Sequence, residues 1–229
     1  MKQAINHYAF YLSNTLLHAN HDGSLWCPSE RILCVSDLHF GKSERIARSG
    51  GTLLPPYETH ETLWRLEKAI AAMNPAKVVC LGDSFDDLDA VKSASDETRA
   101  TLARLQTGRE WIWIEGNHDP GPVNLGGSCR KEIKRGALTF RHIALSSAQD
   151  FVEGEISGHY HPKAAIRGVK HRPCFLLDKA RLIMPAFGTY TGGMSSHHAV
   201  LADLMSADTL AIFTGINAIP VPLSACTIR

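Results

Sequence analysis

Three short apolar runs, each cut off by a polar cluster, constrain this chain more than any other feature. Arg31–Val35 leads into Ser36, Asp37, Leu38 and His39. Lys77–Leu81 leads into Gly82 and Asp83, and Trp111–Ile114 into Gly116, Asn117, His118 and Asp119. Each run is β-branched or aromatic and apolar on both faces, the pattern of a strand buried inside a sheet. Between the first two, Leu63, Leu66, Ile70 and Met73 recur at helical spacing over Tyr57–Met73, and Asn74-Pro75 stops the helix. Between the second and third, Asp96 is expected to cap a helix running through Gln106, with Leu102 and Leu105 on its buried face. This β-α-β-α-β order predicts a parallel sheet. Its strands send their loops to one edge, where open α/β sheets bind ligands.

The second half reads differently. Leu138–Ile143, Glu155–Ser157, Ala164–Arg167, Cys174–Leu177, Arg181–Met184 and Leu210–Thr214 are short strand-like runs with turn residues between them. No long helix is expected after Gln106, so a second, largely antiparallel sheet is predicted. Asp22-Gly23 suggests a hairpin between Leu16–Ala19 and Ser24–Trp26. No linker, repeat or low-complexity tract interrupts the 229 residues, which read as one domain spanning 1–229.

Composition narrows the classes. With 24 Lys+Arg against 23 Asp+Glu, the formal net charge is +1, so no overall basic field draws in nucleic acid. A local one is still compatible with that balance. No apolar run approaches the roughly 18 residues of a membrane span, and no signal peptide is expected at the start. The six cysteines are scattered with no C-x-x-C pair, which argues against a zinc ribbon or redox motif and fits a reducing cytoplasm.

The polar residues after the strands form one chemical set: Asp37 and His39, Asp83, Asn117 and His118, and His159 and His161 of Gly158-His159-Tyr160-His161, with His142 alone in Leu138–Ile143. In extended backbone, residues i and i+2 share a face, so Asp37 with His39, and His159 with His161, should each present two donors together. Mixed imidazole, carboxylate and amide donors suit borderline divalent metals such as Mn, Fe, Zn or Co. A lone D-x-H or G-D is weak evidence. All the motifs in order, three of them directly after apolar strands, are strong evidence.

That order resembles the calcineurin-like metallophosphoesterase superfamily over roughly Arg31 to Pro162. The resemblance implies an α/β fold of four layers, α-β-β-α, with two mixed sheets flanked by helices. It also implies two divalent ions, Mn foremost, with Fe, Zn, Co or Ni as alternatives. One ion would take Asp37, His39 and His161, the other Asn117, His142 and His159, with Asp83 bridging them. By the same motif, His118 would donate a proton to the leaving oxygen, and the Asp86 carboxylate would hold its imidazole; Asp119 is the local alternative. The motif of the protein-phosphatase branch has Arg where this chain has Asp87, which favours diesters over phosphoproteins. Asp37–Lys42, Pro173–Phe175 and Pro185–Gly193 further resemble the bacterial DNA-ligase-associated phosphodiesterases. That likeness implies DNA or a phosphodiester nucleotide as substrate, a repair setting, and association with a ligase and a helicase.

Phosphodiester hydrolysis gives these residues a purpose. Two divalent ions about 3.5–4 Å apart acidify a bridging water for attack and neutralise charge at phosphorus. Lys42 and Arg45, just after the first motif, are candidates for contacting a substrate phosphate. Thr189, Tyr190 and Gly192-Gly193 are candidates for a loop near the metals. His197-His198 reads as a poor metal pair, because adjacent strand residues point apart. His7, His18, His21, His60 and His171 read as surface residues, and Trp111 and Trp113 as core. Two other functions compete with a DNA phosphodiesterase: a hydrolase of a small phosphodiester, pyrophosphate or phosphomonoester, and a non-catalytic scaffold. The scaffold should have lost ligands or the catalytic His, and here every position is filled.

Overall fold

The structure is a computed structural model that describes residues 6–48, 50, 57–146, 153–168 and 170–227. Two mixed sheets form its centre. The first runs in sequence order through β1 (His7–Leu12), β2 (Thr15–Asn20), β3 (Leu25–Cys27), β4 (Ile32–Val35), β5 (Lys77–Leu81), β6 (Glu110–Ile114) and β7 (Ser128–Arg130). β1 to β4 pair antiparallel, and the Asp22-Gly23 hairpin sets Ala19 opposite Leu25. β4, β5 and β6 are parallel, as their apolar runs predict, and β7 adds an unforeseen fourth parallel strand.

The second sheet contains β8 (Glu132–Arg135), β9 (Leu138–Arg141), β10 (Glu155–Ser157), β11 (Lys163–Ala164), β12 (Arg172–Leu177), β13 (Arg181–Ile183), β14 (Leu210–Phe213) and β15 (Ile219–Pro222). Its path is β15-β14-β12-β13-β10-β9-β8, with β11 pairing β12. Most pairs are antiparallel, but β10 lies parallel to both β9 and β13. Two predicted strands are shorter in the structure. Ala164–Arg167 pairs only through its first residue, and Leu138–Ile143 leaves the sheet after Arg141, so His142 stands just beyond the strand.

Alternation of side chains explains why the β4, β5 and β6 runs are apolar throughout. Ile32, Cys34, Val79, Leu81, Ile112 and Ile114 face the second sheet, where they meet Phe140, Ile156, Phe175 and Leu182. Their neighbours Leu33, Val35, Val78, Cys80, Trp111 and Trp113 face outward onto helices. Those helices are α1 (Lys42–Arg48), α2 (Glu58–Met73), α3 (Leu88–Ser93) and α4 (Asp96–Gln106). Leu63, Leu66 and Ile70 of α2 and Leu102 and Leu105 of α4 are the buried stripes the spacing predicts. Each such side chain contributes about 1.5–3 kcal/mol by leaving water. On the far side, Leu201 and Met205 of α5 (Ala199–Leu204) and its end cover Cys174, Leu176, Ile183 and Ala211. The layers are therefore helix, sheet, sheet, helix.

The caps differ from expectation at one point. Asp96 is the first residue of α4 and Ser95 its cap, accepting from the Thr98 N–H. Ser95 has the extended backbone a cap requires, whereas Asp96 is already helical and favours the positive end of the helix dipole. α2 ends on Asn74 in left-handed conformation, as the Asn-Pro stop signal implies.

Candidate metal centre

The loops that leave β4, β5 and β6 meet those following β9 and β10 at one edge of the two sheets. Donor atoms converge there in three groups, each within 4.8 Å: Asp37, His39 and His161; Asp83, His142 and His159; and His39, Asp86 and His118. The first two nearly touch, since His142 Nδ1 lies 3.9 Å from Asp37 Oδ1.

Local backbone achieves this convergence in a way the extended-loop expectation did not foresee. Asp37 (φ 52°), His39 (φ 48°), Asp83 (φ 44°), His159 (φ 69°) and His161 (φ 45°) all adopt the left-handed region. Non-glycine residues adopt it rarely, and such strain collects at functional sites. Left-handed turns also replace the simple i, i+2 face. His159 and His161 consequently part company, one joining each trio.

The glycines of the motifs are set by close approach. A Cβ on Gly82 (φ +80°) would lie 2.2 Å from His142 Nδ1, and one on Gly158 would lie 1.9 Å from Ser36 Oγ and 2.6 Å from Asp37 Oδ2. Ser36, which sequence reasoning passed over, donates its hydroxyl to Asp37 Oδ2, and the His159 N–H reaches the same oxygen at 3.1 Å. Its position beside D-x-H at a strand end is the signal that marked it.

Hydrogen bonds fix which imidazole nitrogen faces the site. His39 Nδ1 donates to Asp86 Oδ1 at 2.7 Å, and its buried Nε2 has no hydrogen-bond partner. His161 Nε2 is likewise buried and without a hydrogen bond, 3.1 Å from Asp37 Oδ1. His142 Nδ1 donates to the Leu81 carbonyl at 3.0 Å. Its Nε2 then faces Asn117 Oδ1 at 3.0 Å and Asp83 Oδ2 at 3.3 Å. Three acceptors this close repel one another unless a proton or a cation lies among them. A divalent ion fits that demand, and nitrogen-and-oxygen donors suit the borderline metals. Orientation of a ligand imidazole through its other nitrogen is the usual support of such a site.

Ionisation follows the same geometry. Burial alone would raise the Asp83 carboxyl, but the His142 imidazole and the His118 N–H, 2.8 Å from Oδ1, hold it down to about 2. Asp37 is also held low despite its burial, by His161, His142 and Ser36. Burial alone would lower His142, yet Asp83 and Asp37 raise it. His159 is lowered, first by burial and then by the neighbouring His142.

One expected contact is corrected. The Asp86 carboxylate does not hold His118. It accepts from His39 and from Arg45 Nε, with Lys42 Nζ 3.8 Å away, and those partners keep it below the usual carboxylate range despite burial. His118 Nδ1 donates instead to the backbone carbonyl of Asp86, at 2.9 Å. The reason is electrostatic: the Asp86 side chain turns toward α1, where Lys42 and Arg45 attract it. Asp119 has the loop-stabilising role. Its carboxylate accepts the N–H groups of Ser84, Phe85 and Gly116, and burial pushes it up to about 7.

Lys42 and Arg45 thus direct their charge at Asp86 within the protein. Asp87 caps α3 through the Ala90 N–H at 2.6 Å and meets Arg48 at 2.7 Å. The late loop does lie against the site. Phe187 and Gly188 donate their N–H groups to the carbonyls of Ser36 and Asp37, and Met194 donates to those of Tyr160 and His161. Thr189 is structural, bonded to Thr62 and Glu58. Arg65 clamps this loop from α2, donating to the Phe187 and Asp22 carbonyls. No local pattern marks Arg65, because its partners are far away in sequence. His198 caps α5, and neither it nor His197 joins a donor group. His7 and His18 stack at 4.0 Å on the β1–β2 hairpin, away from the centre.

Residues 30–175 match the calcineurin-like phosphoesterase family. The chain belongs to that family. It is therefore a metal-dependent phosphoesterase, and the donor trios above are its candidate metal-binding clusters. The crystal structure of a nuclease, MPE, from Pseudomonas putida is similar to it, with a TM-score of 0.74 and 25% identity, over 94% of this chain and 100% of that one. No curated protein matches the chain significantly. None of the described helices is long and apolar enough to cross a membrane.

Proposed function

We propose that this phosphoesterase is a binuclear phosphodiesterase that hydrolyses DNA. One ion would be held by Asp37, His39 and His161, the other by Asn117, His142 and His159, with Asp83 between them. The observation that carries this reading is the pair of donor trios, 3.9 Å apart at Asp37 and His142, with imidazole nitrogens left buried and unbonded. When bound, two divalent ions supply an acidified water and charge neutralisation at the phosphate.

The protein's own groups do the rest. His118, held through Nδ1 by the Asp86 carbonyl, presents Nε2 and passes a proton to the leaving oxygen when it enters as imidazolium. Asp86 positions His39 rather than His118. Asp87, capping α3 and paired with Arg48, puts a negative charge where a phosphomonoester clamp would need a positive one. Lys42 and Arg45 offset the Asp86 charge and would be the cations to meet a substrate phosphate beyond it.

The neighbouring nuclease supports a nucleic acid as the substrate; DNA in particular rests on the motif resemblance. Manganese as the ion, a repair setting beside a ligase and a helicase, and a cytoplasmic location complete the reading. They rest on the motif resemblance and on six cysteines that are all free. Incubation of single- and double-stranded oligonucleotides with Mn tests it. Cleavage by the wild-type chain that His118→Ala abolishes, with metal content retained, is the expected result. No cleavage by a chain carrying two ions would contradict it.

A further inference from the structure

An open cleft of about 370 Å³ adjoins the second donor trio, with Asn117 and His142 in its wall. The rest of its lining comes from the loop after β6, the β7–β8 junction and the end of β9. It includes Lys131, Glu132, Arg141 and Ile143. The cleft thus lies open beside the donor residues, on one side of where a phosphate would sit.

Its chemistry is mixed rather than uniformly cationic. Arg141 is committed within the protein, to Glu132 at 2.6 Å and Glu155 at 3.5 Å. Glu115 lines the cleft as well. Lys131 is exposed and makes no ion pair among the described residues, so its charge is available to a ligand. Ile143, one residue past His142, leaves 43% of its surface open to solvent, a large apolar face beside a donor residue. A free cation and an apolar face at the mouth of one cleft match a phosphate and a nucleobase. A phosphomonoester, with no second phosphate, would leave the cation idle.

We infer that this cleft takes the nucleotide next to the scissile phosphate of a polynucleotide. Ile143 packs against its base and Lys131 pairs with its far phosphate. The inference rests on the phosphodiesterase reading above and names the substrate class of that site. Lys131 touches no reacting atom, so it is a binding residue.

Three substrates separate the parts: methyl p-nitrophenyl phosphate, with neither base nor second phosphate; thymidylyl-thymidine, with bases only; and octathymidylate, with both. Ile143→Ala should lower kcat/KM for the two nucleotide substrates, relative to the methyl ester, by roughly fivefold. Lys131→Ala should lower octathymidylate relative to thymidylyl-thymidine by about tenfold. Binding gives a readout independent of turnover. In a His118→Ala background, the slope of log Kd for labelled octathymidylate against log salt should flatten by about 0.7 with Lys131→Ala. Lys134→Ala, an exposed lysine of β8 outside the cleft, should leave that slope as it was. Unchanged ratios and an unchanged slope in Lys131→Ala, with the oligonucleotide cleaved by wild type, would overturn the inference. Hydrolysis of the methyl ester but of no nucleotide would overturn it, and DNA as the substrate with it, while sparing the phosphodiesterase chemistry. Hydrolysis of neither would remove both.

Discussion

The two donor trios are braced in different ways. In the Asp37–His39–His161 trio, His39 leans on a charged carboxylate, Asp86, which is itself paired with Arg45 and Lys42. In the Asp83–His142–His159 trio, His142 leans on the neutral Leu81 carbonyl. The late loop closes over the first trio through Phe187 and Gly188, whereas the second opens on the cleft at Asn117. A carboxylate behind an imidazole raises its basicity and fixes its ring more strongly than a carbonyl does. On the proposed binuclear reading, the first trio would keep its ion and the second would meet substrate.

Breaking the link between the trios should have the largest effect. Asp83→Ala removes the carboxylate proposed to be shared, and metal analysis by mass spectrometry should show the loss of at least one ion together with activity. Full metal content in that variant would mean Asp83 bridges nothing. Next comes Gly82→Ala, which drives a methyl into His142 at a backbone φ of +80°. Overpacking and left-handed strain should together destabilise by about 2–4 kcal/mol, or ~4–16 °C in Tm for a chain this size. The second trio should lose metal with it. A normal Tm would show that the glycine is not required by packing.

Asp86→Asn sharpens the comparison itself. It should weaken metal affinity at the first trio by about 10–100-fold and leave the second nearly as it was, resolved as two classes in calorimetric titration with Mn. Equal weakening of both would erase the distinction drawn here.

The metal-free chain carries opposing pH dependences. Asp83, held at about 2 when folded, is depressed below its ordinary 3.8, so its stabilisation is present above about 4 and lost as pH falls through 2. Asp119, raised to about 7, contributes stability at low pH that is lost as pH rises from about 4 through 7. Thermal melts in chelator from pH 2 to 8 should show the acid-side loss flattened in Asp83→Asn. Parallel wild-type and variant curves would contradict it. Smallest is Ser95→Ala, far from both trios, which removes the α4 cap for about 1 kcal/mol and should leave metal content alone.

What the sequence disclosed follows from how locally each feature is determined. β4, β5 and β6 are legible because both faces are buried, so their runs are apolar throughout and stop where the loops begin. α2 shows in its stripe of Leu63, Leu66 and Ile70. The short β7 and α3 were not legible: three and six residues hold too few positions for a period to emerge. In the centre, residue types and order singled out side chains that the fold brings together, because metal chemistry restricts the choice of side chain. The left-handed backbone at Asp37, His39, Asp83, His159 and His161 could not be read, since nothing in those side chains requires it. The turn of Asp86 toward His39 depends on where α1 places Arg45, a tertiary fact.

Mn-supported hydrolysis of bis-p-nitrophenyl phosphate beside p-nitrophenyl phosphate, on wild type and His118→Ala with metal content measured in each, tests the central claim most directly. Two ions per chain with diester turnover well above monoester, abolished in the variant without loss of metal, is the predicted result. Monoester turnover equal to or above diester turnover, or activity indifferent to His118, would contradict it.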